Sequence, residues 1–303
     1  MKKIFVITGF LGAGKTTFLN NLISLTNKKI EVVINEFGKI GFDGKQFKNS
    51  KINTFEINGG SIFCSCLEQD FFKTMKEIAK TDIEFVFIES SGLSDPSNIE
   101  PIISKITQKT KRGIKVEAIV TLVDASRFLK MIDVFPVIEK QIKAASTIIV
   151  NKTDLVSCRC LDETINILRK HNHKASLIET THGRIEELST IFGKVRILES
   201  ETLNKPSLRE KSILIESKNN LGFNNVRNFL ESISGELLRI KGTFSTVEKN
   251  YYADCVGEQI NIYETDNTAN GLRLSVIASR NKPIVGYIRN NWSRFFDSPL
   301  TFR

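Results

Sequence analysis

The stretch KKIFVITGFLGAGKTTFLNNLISL, residues 2–25, limits the fold more than any other part of the chain. KKIFVIT is β-branched and apolar, the composition of a strand buried on both faces. TTFLNNLISL carries its apolar residues at helical spacing. Between them, Gly9 to Thr16 fit G-x-x-x-x-G-K-[ST] at every fixed position. Strand, glycine loop and helix in that order make a phosphate-binding loop. A chain built on this unit is expected to be α/β, a P-loop NTPase-type, mostly parallel sheet with helices on both faces.

The chemistry follows from the residue types. Gly9, Gly12 and Gly14 let the backbone curl, so that successive N–H groups, that of Ala13 among them, face phosphate oxygens. The helix N-terminus behind them adds partial positive charge. Lys15 can reach the β- and γ-phosphates, the Thr16 hydroxyl can hold Mg²⁺, and Thr17 can bond the α-phosphate. The sequence ASTIIVNKTD then ends a strand in Asn151-Lys152-x-Asp154. A carboxylate there accepts two parallel hydrogen bonds from guanine, a pair that adenine does not offer. Asn151 can steady the loop, and the aliphatic stem of Lys152 can cover the base. GTP and GDP are therefore the expected nucleotides.

In IEFVFIESSGLSDP an apolar strand delivers Glu89 to the ligand-binding edge of the sheet, where it can orient a metal's water shell. The backbone N–H of Gly92 can approach a γ-phosphate, which makes residues 89–96 a candidate switch. Strands at 30–34, 116–124 and 175–180 bring the sheet to about six. After a polar stretch around residues 199–210, SILIES, NNVRNFLESI, ELLRIKGTFST, QINIYE and LRLSVIAS suggest a smaller α+β domain. The expected division is 1–200 and 210–303.

These motifs together resemble the CobW-type metal-trafficking GTPases, relatives of the hydrogenase and urease nickel-insertion GTPases. The resemblance rests on GFLGAGKTT, INEFGKIGFD, ESSGLSDP, VTLVDASRF, NKTD and LLRIKGTF, in that order along most of the chain. It implies slow GTP hydrolysis, a first switch region carrying Glu36 and Asp43, and a transition metal, usually zinc or cobalt, passed to a client metalloprotein. It also implies a C-terminal module that reads the client or the nucleotide state. Glu36, Asp43 and Glu89 are candidates for orienting the hydrolytic water, with Lys15 stabilising charge. No internal arginine finger can be named, and Arg112 and Arg127 are unplaced.

The stretch NGGSIFCSCLEQD departs from the resemblance. The family pattern G-C-x-C-C aligns with Gly60, Ser61, Phe63 and Cys64, which leaves one thiolate in register and Cys66 beyond it. Cys64 and Cys66, with Glu36 as an oxygen ligand, form an altered candidate site for Zn²⁺ or Co²⁺. Buried apolar thiols are the plain alternative. His171 and His173 can supply a surface metal ligand, but they align better with the family's loop beside the guanine, which favours ordinary polar surface. Cys158 and Cys160 repeat the C-x-C spacing at the start of a helix that Ser157 or Asp162 can cap, a candidate for metal or redox chemistry with ordinary helix residues as the favoured alternative. Trp292, Phe295 and Phe296 can dock a partner or pack at home.

Composition sets the remaining limits. The net charge of +9 is spread along the length with acids among the lysines, so no nucleic-acid partner is expected. Five cysteines do not make a secreted disulfide framework, and no apolar run nears the ~20 residues of a membrane span. A cytoplasmic protein without a membrane partner is expected, and a homodimer stays open. Two rivals to metal trafficking remain: a metal-independent regulatory GTP-binding switch, and an ATP-dependent kinase, which NKTD opposes.

Overall fold

A computed structural model of the protein describes residues 1–36, 52–58, 61–63, 67–111, 113–193, 195, 203–204, 210–266, 270–279 and 281–303. The described residues fall into two compact units, one through residue 204 and one from residue 210. Asp43, Cys64, Cys66, Arg112 and most of the 199–210 stretch lie outside them.

In the first unit the elements run β1 (Lys2–Gly9), α1 (Lys15–Ser24), β2 (Ile30–Glu36), β3 (Ile52–Asn58), α2 (Glu68–Lys80), β4 (Phe85–Glu89), α3 (Ile99–Thr110) and β5 (Ile114–Asp124). They continue with a single turn α4 (Phe128–Met131), α5 (Pro136–Ala144), β6 (Thr147–Asn151), α6 (Cys158–His171) and β7 (Ser176–Glu179). Seven strands pair in the order β3-β2-β4-β1-β5-β6-β7, each pair parallel. Such a sheet needs both faces covered, and alternating side chains supply two cores. Ile4 and Val6 pack with Phe71, Met75 and Ile78 of α2 and with Ile99, Ile103 and Ile106 of α3. Phe5 and Ile7 pack on the other face with Phe18, Leu19 and Leu22 of α1. Each of these fully buried side chains contributes about 1.5–3 kcal/mol of burial.

The seventh strand, β3, was not expected. Its side chains are mostly half-buried or exposed, because it lies at the sheet edge, and INTFEIN lacks the apolar run of its neighbours.

The second unit contains β8 (Lys211–Ser217), α7 (Phe223–Ser234), β9 (Arg239–Ser245), β10 (Asn250–Val256), β11 (Gln259–Glu264), β12 (Leu272–Ala278), α8 (Ile284–Trp292) and β13 (Thr301–Phe302). Its antiparallel sheet has the order β11-β10-β9-β12-β8-β13. The α+β expectation holds, with β10 and the short β13 added. Trp292 is part of this unit's core. It stacks on Phe296 at 4.1 Å, meets Phe229 edge-on at 5.1 Å, and donates its indole N–H to the Ser298 carbonyl. No helix among the described residues is long and apolar enough to cross a membrane.

Candidate functional site

All seven parallel strands end at one edge, which gathers the sequence motifs at their C-terminal ends. The glycine loop leaves β1 there. Gly9, Gly12 and Gly14 have φ of 134°, 79° and 97°, a region that favours glycine. A Cβ on Gly9 would stand 2.3 Å from the Leu122 carbonyl oxygen. Gly14 is the N-cap of α1 and has no side chain to cap it, so the first-turn N–H groups remain available to an anion. The Lys15 ammonium is buried and donates to the carbonyls of Gly9 at 2.9 Å and Phe10 at 3.2 Å. Thr17 is exposed on the first turn of α1.

Thr16 Oγ1 donates to Glu89 Oε1 at 2.8 Å, which joins the first turn of α1 to the end of β4. Both are hard oxygen donors, suited to Mg²⁺. Glu36 ends β2 at the same sheet edge. Gly92 packs directly on the glycine loop: a Cβ there would meet Leu11 Cδ2 at 2.6 Å and Leu11 N at 2.8 Å. Asp95 caps the following turn by accepting the Ser97 N–H at 3.0 Å.

The Asn151 side chain sits between two loops. Its Nδ2 donates to the Ala13 carbonyl at 2.9 Å, and its Oδ1 accepts the Gly183 N–H at 2.9 Å. Lys152 has a left-handed φ of 62°, and its ammonium pairs with Asp124 Oδ2 at 2.7 Å. Asp124 Oδ1 accepts from the N–H and hydroxyl of Ser126, so the ion pair is held from both ends. Asp154 follows in an exposed turn at Thr153–Leu155. Arg127 lines an apolar cleft with Phe10, Leu11 and Phe128.

The histidine expectation needs correction. Asn172, between His171 and His173, donates to the carbonyls of Ile142 at 2.8 Å and Ala145 at 2.9 Å, ahead of the start of β6. That is the opposite edge of the sheet from the glycine loop. The loop beside Asn151 is instead Thr180–Gly183, after β7. Its Gly183 packs against Phe18 with a left-handed φ of 62°. Its signal in sequence was slight: a Thr-Thr-His-Gly turn closing a strand.

Cys158 and Cys160 sit in the first turn of α6, which Ser157 caps by accepting the Cys160 N–H at 3.4 Å. Two residues apart on a helix, they do not face one another, so they do not form a two-thiolate site. Cys255 is buried in β10, and burial pushes its thiol up to about 12. Among the described residues no group of three or more His, Cys, Asp or Glu side chains converges as a metal would need.

Residues 3–179 match the family model described as CobW/HypB/UreG, nucleotide-binding domain. The chain belongs to this family. As a CobW/HypB/UreG member it is 31% identical over 238 residues to the zinc chaperone CobW of Sinorhizobium sp., a match covering 68% of this chain and 66% of that one. It is 28% identical over 199 residues to the zinc-regulated GTPase metalloprotein activator 1 of Schizosaccharomyces pombe, covering 62% of this chain and 48% of the relative. It is 27% identical over 283 residues to the zinc chaperone YjiA of Escherichia coli, covering 83% and 87%. The chain thus spans 66% and 48% of the length of the first two relatives. The crystal structure of the Zn(II)-bound YjiA GTPase from E. coli aligns over 98% of this chain and 99% of its own, with a TM-score of 0.47 at 20% identity.

Proposed function

We propose that this family member binds GTP at the glycine loop, hydrolyses it slowly, and uses the cycle to hold a transition metal and pass it to a client metalloprotein. One observation carries the nucleotide part: Asn151 bridges the NKTD segment to the glycine loop through the Ala13 carbonyl. A base-reading acid, Asp154, then belongs to the same site as the phosphate cradle. The zinc chaperone and metalloprotein activator names of the relatives support the cargo.

On this reading the N–H groups around Gly12, Ala13 and Gly14 take the β-phosphate, and Lys15 exchanges the Gly9 and Phe10 carbonyls for phosphate oxygens. Thr16, with Glu89 beside it, holds Mg²⁺, which supplies charge neutralisation when bound. Thr17 bonds the α-phosphate, and the Gly92 N–H senses the γ-phosphate. Lys152, anchored by Asp124, lays its stem on the guanine. Glu36, Asp43 and Glu89 are the groups available to orient water. Cys64 and Cys66, with Glu36, hold Zn²⁺ or Co²⁺ as cargo. The domains run over 1–200 and 210–303.

The altered G-C-x-C-C pattern supports a second reading, a metal-independent GTP switch that recognises a protein partner. Calorimetric titration with GTP and ATP tests the nucleotide; ATP binding as tightly as GTP would overturn it. Elemental analysis of GTP- and GDP-loaded protein, prepared anaerobically, then separates the two readings. Stoichiometric metal lost in the Cys64→Ser, Cys66→Ser double variant supports trafficking. Metal-free protein with GTP binding intact supports the switch.

A further inference from the structure

Three carboxamide side chains grip the backbone that runs from Glu89 into the Asp95–Pro96 turn. Asn35, near the end of β2, accepts the Ser91 N–H at 3.4 Å. Gln141, on α5, donates from Nε2 to the carbonyls of Gly92 at 3.2 Å and Ser94 at 3.0 Å. The third is Asn204. Its Oδ1 accepts the Asp95 N–H at 3.1 Å, and its Nδ2 donates to the Asp95 carbonyl at 2.7 Å. Asp95 returns the contact, because its Oδ2 accepts the Leu203 N–H at 2.9 Å. Asn204 is 8% exposed and Asp95 0%.

The same amide reaches the loop that leads in sequence to Cys64. Ser61 Oγ donates to Asn204 Oδ1 at 3.3 Å. Asn204 Nδ2 also donates to Asn98 Oδ1 at 3.2 Å, and Asn98 Nδ2 holds the Phe63 carbonyl at 2.7 Å. Asn204 lies outside residues 3–179, which the family model matches, and is the last described residue before the second unit.

We propose that Asn204 is a positioning residue of the nucleotide switch, clamping the Asp95 turn so that the Leu203–Asn204 strap and the Ser61–Phe63 loop move with the segment facing the γ-phosphate. This rests on the nucleotide reading above. The clamp is expected to hold or release as a unit, for a physical reason. A carboxamide satisfies both the donor and the acceptor of one buried residue. Withdrawing it strands two backbone groups, so partial release is disfavoured. A buried element with two arrangements carries coupling between sites, and that coupling is reciprocal. Whatever the γ-phosphate does to the strap, loss of the strap's grip must do to the preference for GTP over GDP.

The test uses full-length protein and two nucleotides, GDP and a non-hydrolysable GTP analogue. Hydrogen–deuterium exchange reads the peptides carrying the Leu203 and Asp95 N–H groups. Equilibrium titration gives the ratio of the two affinities. In the wild type, exchange at both amides is expected to differ between nucleotides. Asn204→Ala is expected to make exchange fast in both and to shift the affinity ratio by about fivefold or more. A merely structural residue would leave that ratio where it was. Ser61→Ala keeps the clip on Asp95 and the Asn98 link to Phe63, so its Leu203 response is expected to persist while the response of the peptide holding Ser61–Phe63 is reduced. Equal exchange at Leu203 in both nucleotides overturns the proposal, as does an affinity ratio within twofold of wild type in Asn204→Ala. If that variant fails to fold, the wild-type exchange comparison decides. A wild type that binds neither nucleotide overturns the proposed function itself, which the first titration reveals before any variant is made.

Discussion

Replacing Asn151 with alanine tests the joint between the NKTD segment and the glycine loop. The substitution removes two buried hydrogen bonds, one to the Ala13 carbonyl and one from the Gly183 N–H, each 2.9 Å long. Each stranded backbone group costs about 1–3 kcal/mol, so the total is roughly 2–6 kcal/mol. For a unit of this size about 1 kcal/mol moves Tm by ~2–4 °C, so the expected fall is at least ~4 °C and at most ~24 °C. Ligand adds a second reading. GDP at a hundred times Kd stabilises the wild type by about 2.7 kcal/mol. If the loop loses register and Kd rises tenfold, the same GDP concentration gives ~1.4 kcal/mol, about half the rise in Tm. Asn151→Asp sharpens the argument. It keeps the acceptor for Gly183 but sets a carboxylate oxygen against the Ala13 carbonyl, so it is expected to melt no higher than the alanine variant. Thermal melts with and without GDP give all these numbers. An alanine variant that melts within ~1 °C of wild type, with an undiminished GDP shift, would refute the reasoning.

Gly92→Ala drives a methyl group against the Leu11 backbone, so affinity for a GTP analogue is expected to fall about tenfold while GDP affinity changes less than threefold; titration with both checks this. Native alkylation followed by peptide mass mapping should label exposed Cys158 readily and Cys255 only after unfolding, since a thiol pushed up to about 12 leaves roughly one thiolate in ten thousand at pH 8. Burial raises the Glu31 carboxyl above its usual range, against the opposing pull of Thr81 and Lys2. The folded state therefore favours its protonated form, and the stability it contributes is present below about 4.5 and lost as pH rises through the folded value. The Tm of Glu31→Gln relative to wild type should accordingly climb between pH 4.5 and 7; a flat or falling difference contradicts this.

Strands β1, β2, β4, β5 and β6 were legible because central parallel strands are apolar on both faces, and the glycine loop because its backbone demands glycine. Edge strand β3 keeps Thr54 and Glu56 among its apolar residues and gave no such run. Strand β10, NYYADCV, mixes tyrosines with Asp254, which pairs with Arg239 of β9 through two bonds of 3.0 and 2.9 Å. That pairing is invisible until the strands are side by side. The histidine misplacement has a related cause, since a motif's distance along the chain does not say at which end of a strand it lands. Asn204 was hidden for the plainest reason: its partners lie more than a hundred residues away in sequence.

The strand order has an evolutionary corollary. With β1 central, β3, β2 and β4 form one wing, whose ends hold Glu36 and Glu89 and lead to the Cys64–Cys66 stretch. Strands β5, β6 and β7 form the other wing, which carries Asp124, NKTD and the Thr180–Gly183 turn. On the proposed reading, cargo chemistry and base choice fall to separate flanks, joined at the glycine loop and by the Gln141 amide on the Gly92 and Ser94 carbonyls. A lineage can rewrite its thiolates on one flank while its taste for guanine, lodged on the other, is inherited unaltered.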